Sequence, residues 1–431
     1  MKQLCFFLGL LVLNIPLFSQ SLFESSFTSG DSNKKKFQIY GYIRSNVFAN
    51  ETDYRSVFGE TSIKLETKSF KFGNAFSEIR IKQNLLGNGL SSKVDFREGY
   101  VNLYLSDFDF RIGRQIIVWG RADGFNPTNN LTPQDFTAFS PDEDDKRLSN
   151  FVLSCTYNFH PYKLIANWVP VYKPGILPFK KTNLPEGIIW GANDFPPYKL
   201  SESNYAIKLS IEKASFDGSV SYFNGYHKLP GLCYESNDSL NQQVYLTAHH
   251  TQIIGFDFST AISNYGLRGE FAFSNPSQKK AQFGSVPKSQ LEYTIGLDRE
   301  WGNFNLITQY IGKYVIDFHA YGMSANGVHN PFTNQLTIWN KMIYGQQNKL
   351  SHSISLRPSL SLVHQTLSCE ILSLFNITTE EIYVKPKIAY KLSDNLTLSA
   401  GAQLYQGPEN TLFDILSKGL NAGFFECKVF F

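Results

Sequence analysis

From Phe37 to the last residue, Phe431, apolar and polar residues alternate with a period of two, the pattern of strands that are apolar on one face only. Phe37, Ile39, Ile43 and Val47 alternate with Gln38, Tyr40, Tyr42, Arg44 and Asn46. Tyr205, Ile207, Leu209 and Ile211 alternate with Ala206, Lys208, Ser210 and Glu212, and Leu291, Tyr293, Ile295 and Leu297 with Glu292, Thr294, Gly296 and Asp298. Ile382, Val384, Ile388 and Tyr390 repeat the pattern against Tyr383, Lys385, Lys387 and Ala389. No segment shows helical periodicity with recognisable caps, so the chain is predicted to be all-β.

The connections alternate in length. Short turns are expected at Thr67 to Gly73, Ser106-Asp107, His160-Pro161, Ala214 to Asp217, Trp301-Gly302-Asn303 and Ser393-Asp394-Asn395. Long loops are expected near 120–149, 170–203, 227–243, 275–289, 313–350 and 406–420. This is the build of a transmembrane antiparallel β-barrel with short periplasmic turns and long extracellular loops. At roughly 45 residues per hairpin, residues 20–431 supply about nine hairpins and so about 18 strands, with 16 as the alternative. Gly87-Asn88-Gly89 reads as a hairpin turn, where Asn-Gly is favoured.

Composition fits two faces better than one core. Aromatic residues are 15% of 431 and charged residues 18%, against roughly 25% charged in soluble domains. Mean hydropathy is nevertheless −0.22, and beyond the first twenty residues no apolar run is long enough for a spanning helix. Net charge is +3, which excludes the basic stripe of a nucleic-acid binder.

Met1-Lys2, the apolar run Leu4 to Leu13 and the small residue Ser19 describe a secretory signal peptide over 1–19. Residues 20–36, ending Lys34-Lys35-Lys36, form a flexible periplasmic lead-in, and 37–431 the barrel. Of the cysteines left after processing, Cys155, Cys233, Cys369 and Cys427, three fall on the apolar phase of separate strands, where a thiol acts as a small hydrophobe.

Gly423, Phe425, Cys427, Val429 and Phe431 alternate with Phe424, Glu426, Lys428 and Phe430. This end resembles the last strand by which bacterial outer-membrane barrels are recognised by the barrel assembly machinery, with Phe425, Val429 and Phe431 as the signal. The run from Arg111 through Gly113-Arg114-Gln115, Trp119-Gly120 and Asn126-Pro127 to Asp135 resembles a porin-like Gram-negative barrel family catalogued as a domain of unknown function. Gly407-Pro408-Glu409-Asn410-Thr411-Leu412-Phe413 is similar to it as well. The resemblance implies fold and location and leaves the substrate open.

Residues 120–149 are stiffened by Pro127, Pro133 and Pro141 and carry charges of both signs from Arg121 to Arg147. Such a loop either folds inward as a constriction or keeps the extracellular rim soluble. If inward, Arg121, Asp123 and Asp135 would meet wall residues such as Glu98 and Arg111, and opposed charges would favour polar solutes. Asp142 to Asp145 lacks the spacing and glycine of an EF-hand. Inward-phase charges elsewhere, among them Arg44, Glu60, Glu78, Arg80, Asp257, Glu270 and Lys385, mix both signs, as salt-bridge ladders do.

No Gly-x-Ser-x-Gly, His-Glu-x-x-His or phosphate-loop motif is present, and His249-His250 has no metal partner at useful spacing. No catalytic residue, metal or cofactor is expected. The leading expectation is a channel for passage or export of small polar or amphiphilic solutes. The alternatives are a plugged barrel with an interaction role and, less favoured, a barrel lipase. Expected partners are outer-membrane lipid, the assembly machinery and a periplasmic or efflux component, and no nucleic acid.

Overall fold

A computed structural model of the chain describes residues 36–86, 91–178, 184–236, 242–279, 282–320 and 331–431. The signal peptide, nearly all of the lead-in and the Gly87-Asn88-Gly89 turn lie outside these residues. The first strands are β1 (Phe37–Ala49), β2 (Tyr54–Thr67), β3 (Gly73–Asn84), β4 (Ser91–Leu105), β5 (Phe108–Gln115), β6 (Asn150–Phe159) and β7 (Tyr162–Val169). Then come β8 (Ile188–Trp190), β9 (Asn204–Lys213), β10 (Phe216–Tyr226), β11 (Gly231–Ser236), β12 (Gln242–Thr247), β13 (His250–Ile262) and β14 (Tyr265–Pro276). The last are β15 (Gln290–Trp301), β16 (Phe304–Val315), β17 (Leu350–Leu362), β18 (Leu367–Asn376), β19 (Glu381–Ser393), β20 (Leu396–Gln406) and β21 (Ala422–Phe430).

Among the described residues, all strands but β8, β11 and β12 form one 18-stranded sheet in chain order. It closes on itself: β1 runs antiparallel to β21, from Tyr42 opposite Phe430 to Ala49 opposite Gly423. Closure is what lipid demands, because every backbone N–H and C=O needs a partner and an open edge would leave a row without one. Eighteen strands agree with the expected count.

The period-two pattern puts Ile43, Tyr205, Ile207, Ile295, Ile388 and Phe425 on the exposed outer face. Arg44, Asn46, Ala206, Ser210, Thr294 and Glu426 turn inward and are buried. At the short-turn end the outer aromatics touch in sequence: Phe108 to Tyr157 at 4.8 Å, Tyr157 to Phe159 at 5.2 Å and Phe159 to Tyr162 at 5.6 Å between ring centroids. Such a girdle marks a membrane interface. Cys155, Cys233, Cys369 and Cys427 are free thiols.

Two features depart from the sequence expectation. The chain is not free of helix: α1 (Pro331–Tyr344) and α2 (Leu412–Leu420) lie in the β16–β17 and β20–β21 loops. Helix α2 is only nine residues long, and Thr411 at its N-cap makes no side-chain capping bond. The sequence markers of its start, Thr411 at the N-cap and Asp414 in the first turn, are nevertheless present. The long loops are also structured, since β8, β11 and β12 build a separate three-stranded sheet. Leu232, Tyr234 and Val244 of that sheet pack with Leu336 of α1 in an apolar cluster.

The chain end joins the seam directly. Phe431 N–H donates to Gly41 O at 3.1 Å, and Gly41 N–H donates to Phe431 O at 2.9 Å. Deleting Phe431 removes both bonds and an outward aromatic. It should lower the yield of assembled barrel, scored by heat-modifiable gel mobility, while barrels that do assemble keep the native mobility. Undiminished yield would count against the seam's role.

Candidate functional site

The β5–β6 loop, residues 116–149, lies inside the barrel. It enters where Glu98 Oε1 accepts the Ile116 N–H at 2.7 Å and Gln115 Nε2 donates to Val152 O at 2.9 Å. Trp119 then enters a buried cluster with Leu131, Val152, Val169, Ala206, Phe223, Ile253 and Ala272. An apolar hub inside a polar lumen gives the loop a fixed seat.

Glu270 on β14 is the next anchor. Its Oε1 accepts the Arg121 and Ala122 N–H groups at 2.6 and 2.7 Å and Asn126 Nδ2 at 2.8 Å. Its Oε2 accepts the Thr128 hydroxyl at 2.8 Å. Gly120 makes this possible: its φ is +98°, and a Cβ there would stand 2.4 Å from Glu270 Oε1. The Trp-Gly pair of the sequence is thus a hub residue followed by a residue that must have no side chain.

From there the loop reaches opposite walls. Arg121 Nε meets Asp257 Oδ1 on β13 at 2.7 Å, and Asp123 Oδ1 meets Arg357 on β17 at 2.7 Å. Farther on, around a 3-10 turn at Glu143–Lys146, Asp142 pairs with Lys387 of β19 at 2.6 Å and Glu143 with Lys385 at 2.5 Å. Asp145 accepts Arg44 of β1 and Arg80 of β3, each at 2.7 Å. Arg44 also pairs with Glu60 at 2.7 Å and with Glu426 of β21 at 3.4 Å. A segment held by β1, β3, β13, β14, β17 and β19 crosses the lumen, so the solvated-rim alternative does not describe it.

Electrostatics keep these groups charged. Burial alone would raise the Asp145 carboxyl, but Arg44 and Arg80 beside it hold it far below the usual carboxylate range. Burial is likewise outweighed at Glu143 by Lys146 and Lys385, and at Asp142 by Lys387 and Lys428, so both carboxyls are lowered.

The structure brings Arg121, Asp123 and Glu98 to the loop's contacts with the wall. Arg111 instead donates to Asn102 Oδ1 at 2.8 Å and lies 4.6 Å over the Tyr100 ring. Asp135 closes a local turn, accepting the Thr137 N–H at 2.9 Å and its hydroxyl at 2.5 Å. The expected pairing of the loop charges with Arg111 therefore does not form, because cross-lumen partners lie closer. Phe425, Val429 and Phe431 are exposed on the outer face.

Glu270, Arg44, Arg80 and Asp145 were not singled out by sequence as the anchors. One signal was present. Asp257 and Glu270 sit directly opposite each other on β13 and β14, and like charges so placed require donors from elsewhere.

A second buried group ties the mouth loops together. His227 and His249 stack with ring centroids 5.1 Å apart, and Tyr344 of α1 lies edge-on to His249 at 5.4 Å. Tyr344 Oη donates to Ser285 O at 2.8 Å. Burial, with Lys228 beside it, pushes the His227 imidazole down to about 4. Burial, His227 and His250 hold His249 well below the ordinary imidazole range. A lowered histidine stabilises the fold fully above about pH 6.5, and that stability is lost as pH falls toward the folded value. Moving from pH 7 to about pH 4.5 should therefore lower the amide-exchange protection factors, taken relative to the intrinsic rate at each pH, in the segments around 227, 249 and 285. His249→Phe should remove about half of that dependence, His227 supplying the rest; equal protection at both pH values in the native chain would refute it.

No protein-family model matches the sequence, and no curated protein matches it. Solved structures do. Pseudomonas aeruginosa OccK5 (OpdH) aligns with a TM-score of 0.52 and 12% identity over 92% of this chain and 97% of that one. Acinetobacter baumannii OccAB3 aligns at 0.52 and 10% over 92% and 98%. Pseudomonas aeruginosa OpdK, solved with vanillate, aligns at 0.54 and 9% over 92% and 98%. At these identities the likeness shows the fold: this chain is a closed 18-stranded antiparallel barrel of the kind built by outer-membrane porins.

Proposed function

We propose that the chain is an outer-membrane channel through which small polar or amphiphilic solutes pass, inward or outward, under the control of a constriction made by residues 116–149. The observation that carries this reading is the loop's attachment to opposite walls by ion pairs, Arg121 to Asp257 on one side and Asp145 to Arg44 and Arg80 on the other. Opposed fixed charges across a narrow wet passage favour solutes that replace water's hydrogen bonds. Steps of conductance from the purified chain in planar bilayers test the reading, and a silent bilayer with correctly folded protein would overturn it.

Within it, Asp123 contributes to selectivity and Asp135 does not. Asp123→Asn removes one of the two carboxylates that pair with Arg357, the other being Glu370, and should shift the reversal potential in a salt gradient toward anions. Asp135→Asn, whose carboxylate is hydrogen-bonded within the Thr137 turn, should leave it nearly unchanged. Equal shifts from both would reject this assignment.

A plugged barrel is the second reading, favoured by the sheet of β8, β11 and β12 with α1 in the long loops. Liposome swelling across a sugar size series separates the two. We infer a non-enzymatic role. The likeness of the Gly113-Arg114-Gln115 and Trp119-Gly120 run to barrels of unknown function supports kinship with them. Assembly through the barrel machinery and supply by a periplasmic or efflux partner complete the proposal.

A further inference from the structure

Toward the short-turn end, between loop residues 115–121 and the wall from β4 to β9, lies a cavity of about 500 Å³. That is the size of a small-molecule site. Five charged side chains border it, three cations and two anions, and charges behind the lining make up the balance. Arg121 and Lys208 both face Asp257, at 2.7 and 3.5 Å, Arg121 also reaches Asp217 at 3.5 Å, and Glu212 pairs with Lys163 at 2.7 Å. Arg111 and Asp109 remain, one cation and one anion on alternate residues of β5. A chamber so balanced has no net pull on an ion of either sign.

Its most specific feature is Asn167 on β7. The side chain is 4% exposed and lines the chamber, and among the described residues neither its amide nitrogen nor its amide oxygen has a hydrogen-bond partner. A carboxylate would satisfy only the nitrogen, and an ammonium only the oxygen. A hydroxyl both donates and accepts, so adjacent hydroxyls on one solute satisfy both ends. The neighbouring wall adds the hydroxyls of Ser154, Thr156 and Ser210. Tyr104 supplies a ring that is 46% exposed inside the same chamber. An aromatic face beside a planar amide suits a ring with an apolar C–H face and a polar rim.

We propose that this chamber is a binding station for a small neutral polyhydroxylated solute of mono- or disaccharide size. The proposal names the solute class of the channel, and its place in transit rests on the channel reading; the binding does not. Equilibrium dialysis of the full purified chain in detergent tests it, using glucose and sucrose as probes, with benzoate and lysine as charged comparisons. Saturable binding of glucose or sucrose is expected, weakened about tenfold in Asn167→Leu, since each neutral hydrogen bond contributes on the order of 1 kcal/mol. Asn167→Asp, which keeps an acceptor and loses the donor, should fall between. Tyr198→Ser, at an exposed site in the β8–β9 loop, should bind as the native chain does.

Heat-modifiable mobility verifies folding, and Tyr104→Ala carries the test if Asn167→Leu does not assemble. No saturable binding of either sugar, binding of benzoate or lysine alone, or undiminished sugar binding in the chamber variants would overturn the proposal. Sucrose-dependent current block in bilayers adds the transport arm. Silent bilayers with intact sugar binding would sink the channel reading and leave this one standing.

Discussion

Glu270→Ala should free the first half of the lumen-crossing loop and produce the largest functional change of any single wall substitution. Among the described residues the carboxylate has no lysine or arginine within ion-pair distance; its charge is met by the Arg121 and Ala122 N–H groups, Asn126 Nδ2 and the Thr128 hydroxyl. Alanine leaves these donors facing a gap. Hydrogen bonds to a charged acceptor are worth about 1.5–3 kcal/mol each, and water entering the lumen recovers part of that. A net loss of roughly 3–5 kcal/mol from the loop's seat follows. Single-channel conductance should rise severalfold with noisier open levels. Glu270→Gln keeps one acceptor oxygen but turns an NH₂ toward donors, so it should lie between. Unchanged conductance in the alanine variant would mean that the Trp119 cluster and the Arg121 and Asp123 ion pairs hold the loop without Glu270.

Asp145→Ala should do the same to the far half. Arg44 is 2% exposed and shares Asp145 with Arg80. Removing one member of a buried charge network costs about 3–5 kcal/mol because the remaining charges lose their compensation. The sign at the pore is also definite: an anion disappears from between two arginines, so the channel should become more anion-selective. Because the Asp145 carboxyl is held far below its ordinary range, its stabilisation is complete above about pH 4 and is lost only in stronger acid. The Asp145 latch therefore stays shut through the range in which the His227–His249 stack loosens. Single-channel records against pH separate the two. A native channel whose conductance jumps between pH 6 and 5 by way of Asp145 would contradict the sign.

The wall of this molecule was legible in its sequence because a strand's side chains alternate strictly. Ile207 and Leu209 had to face lipid once Lys208 and Ser210 faced in. The loop's presence and charge were legible too, but its anchors were not. Asp145 and Arg44 are 101 positions apart, Glu143 and Lys385 are 242 apart, and no local pattern encodes such pairings. Arg121 and Asp123 were found because they follow Trp119-Gly120 at the start of the loop. Asp135 has the same chemistry and location in the sequence, but its backbone turns back on itself and spends the carboxylate locally. The His227–His249 stack stayed hidden for the same reason, since the strands β11 and β12 intervene.

The position of the Asp145 latch sets an order of events. Arg44 belongs to the first strand and Glu426 to the last, and both meet at the seam where the loop tip is held. The full set of partners for that tip, Arg44 and Arg80 on one side of the seam and Lys385, Lys387 and Lys428 on the other, comes together only when the final strand joins the first. Full seating of the loop tip and sealing of the cylinder therefore finish together, and a half-built barrel carries a partly held loop.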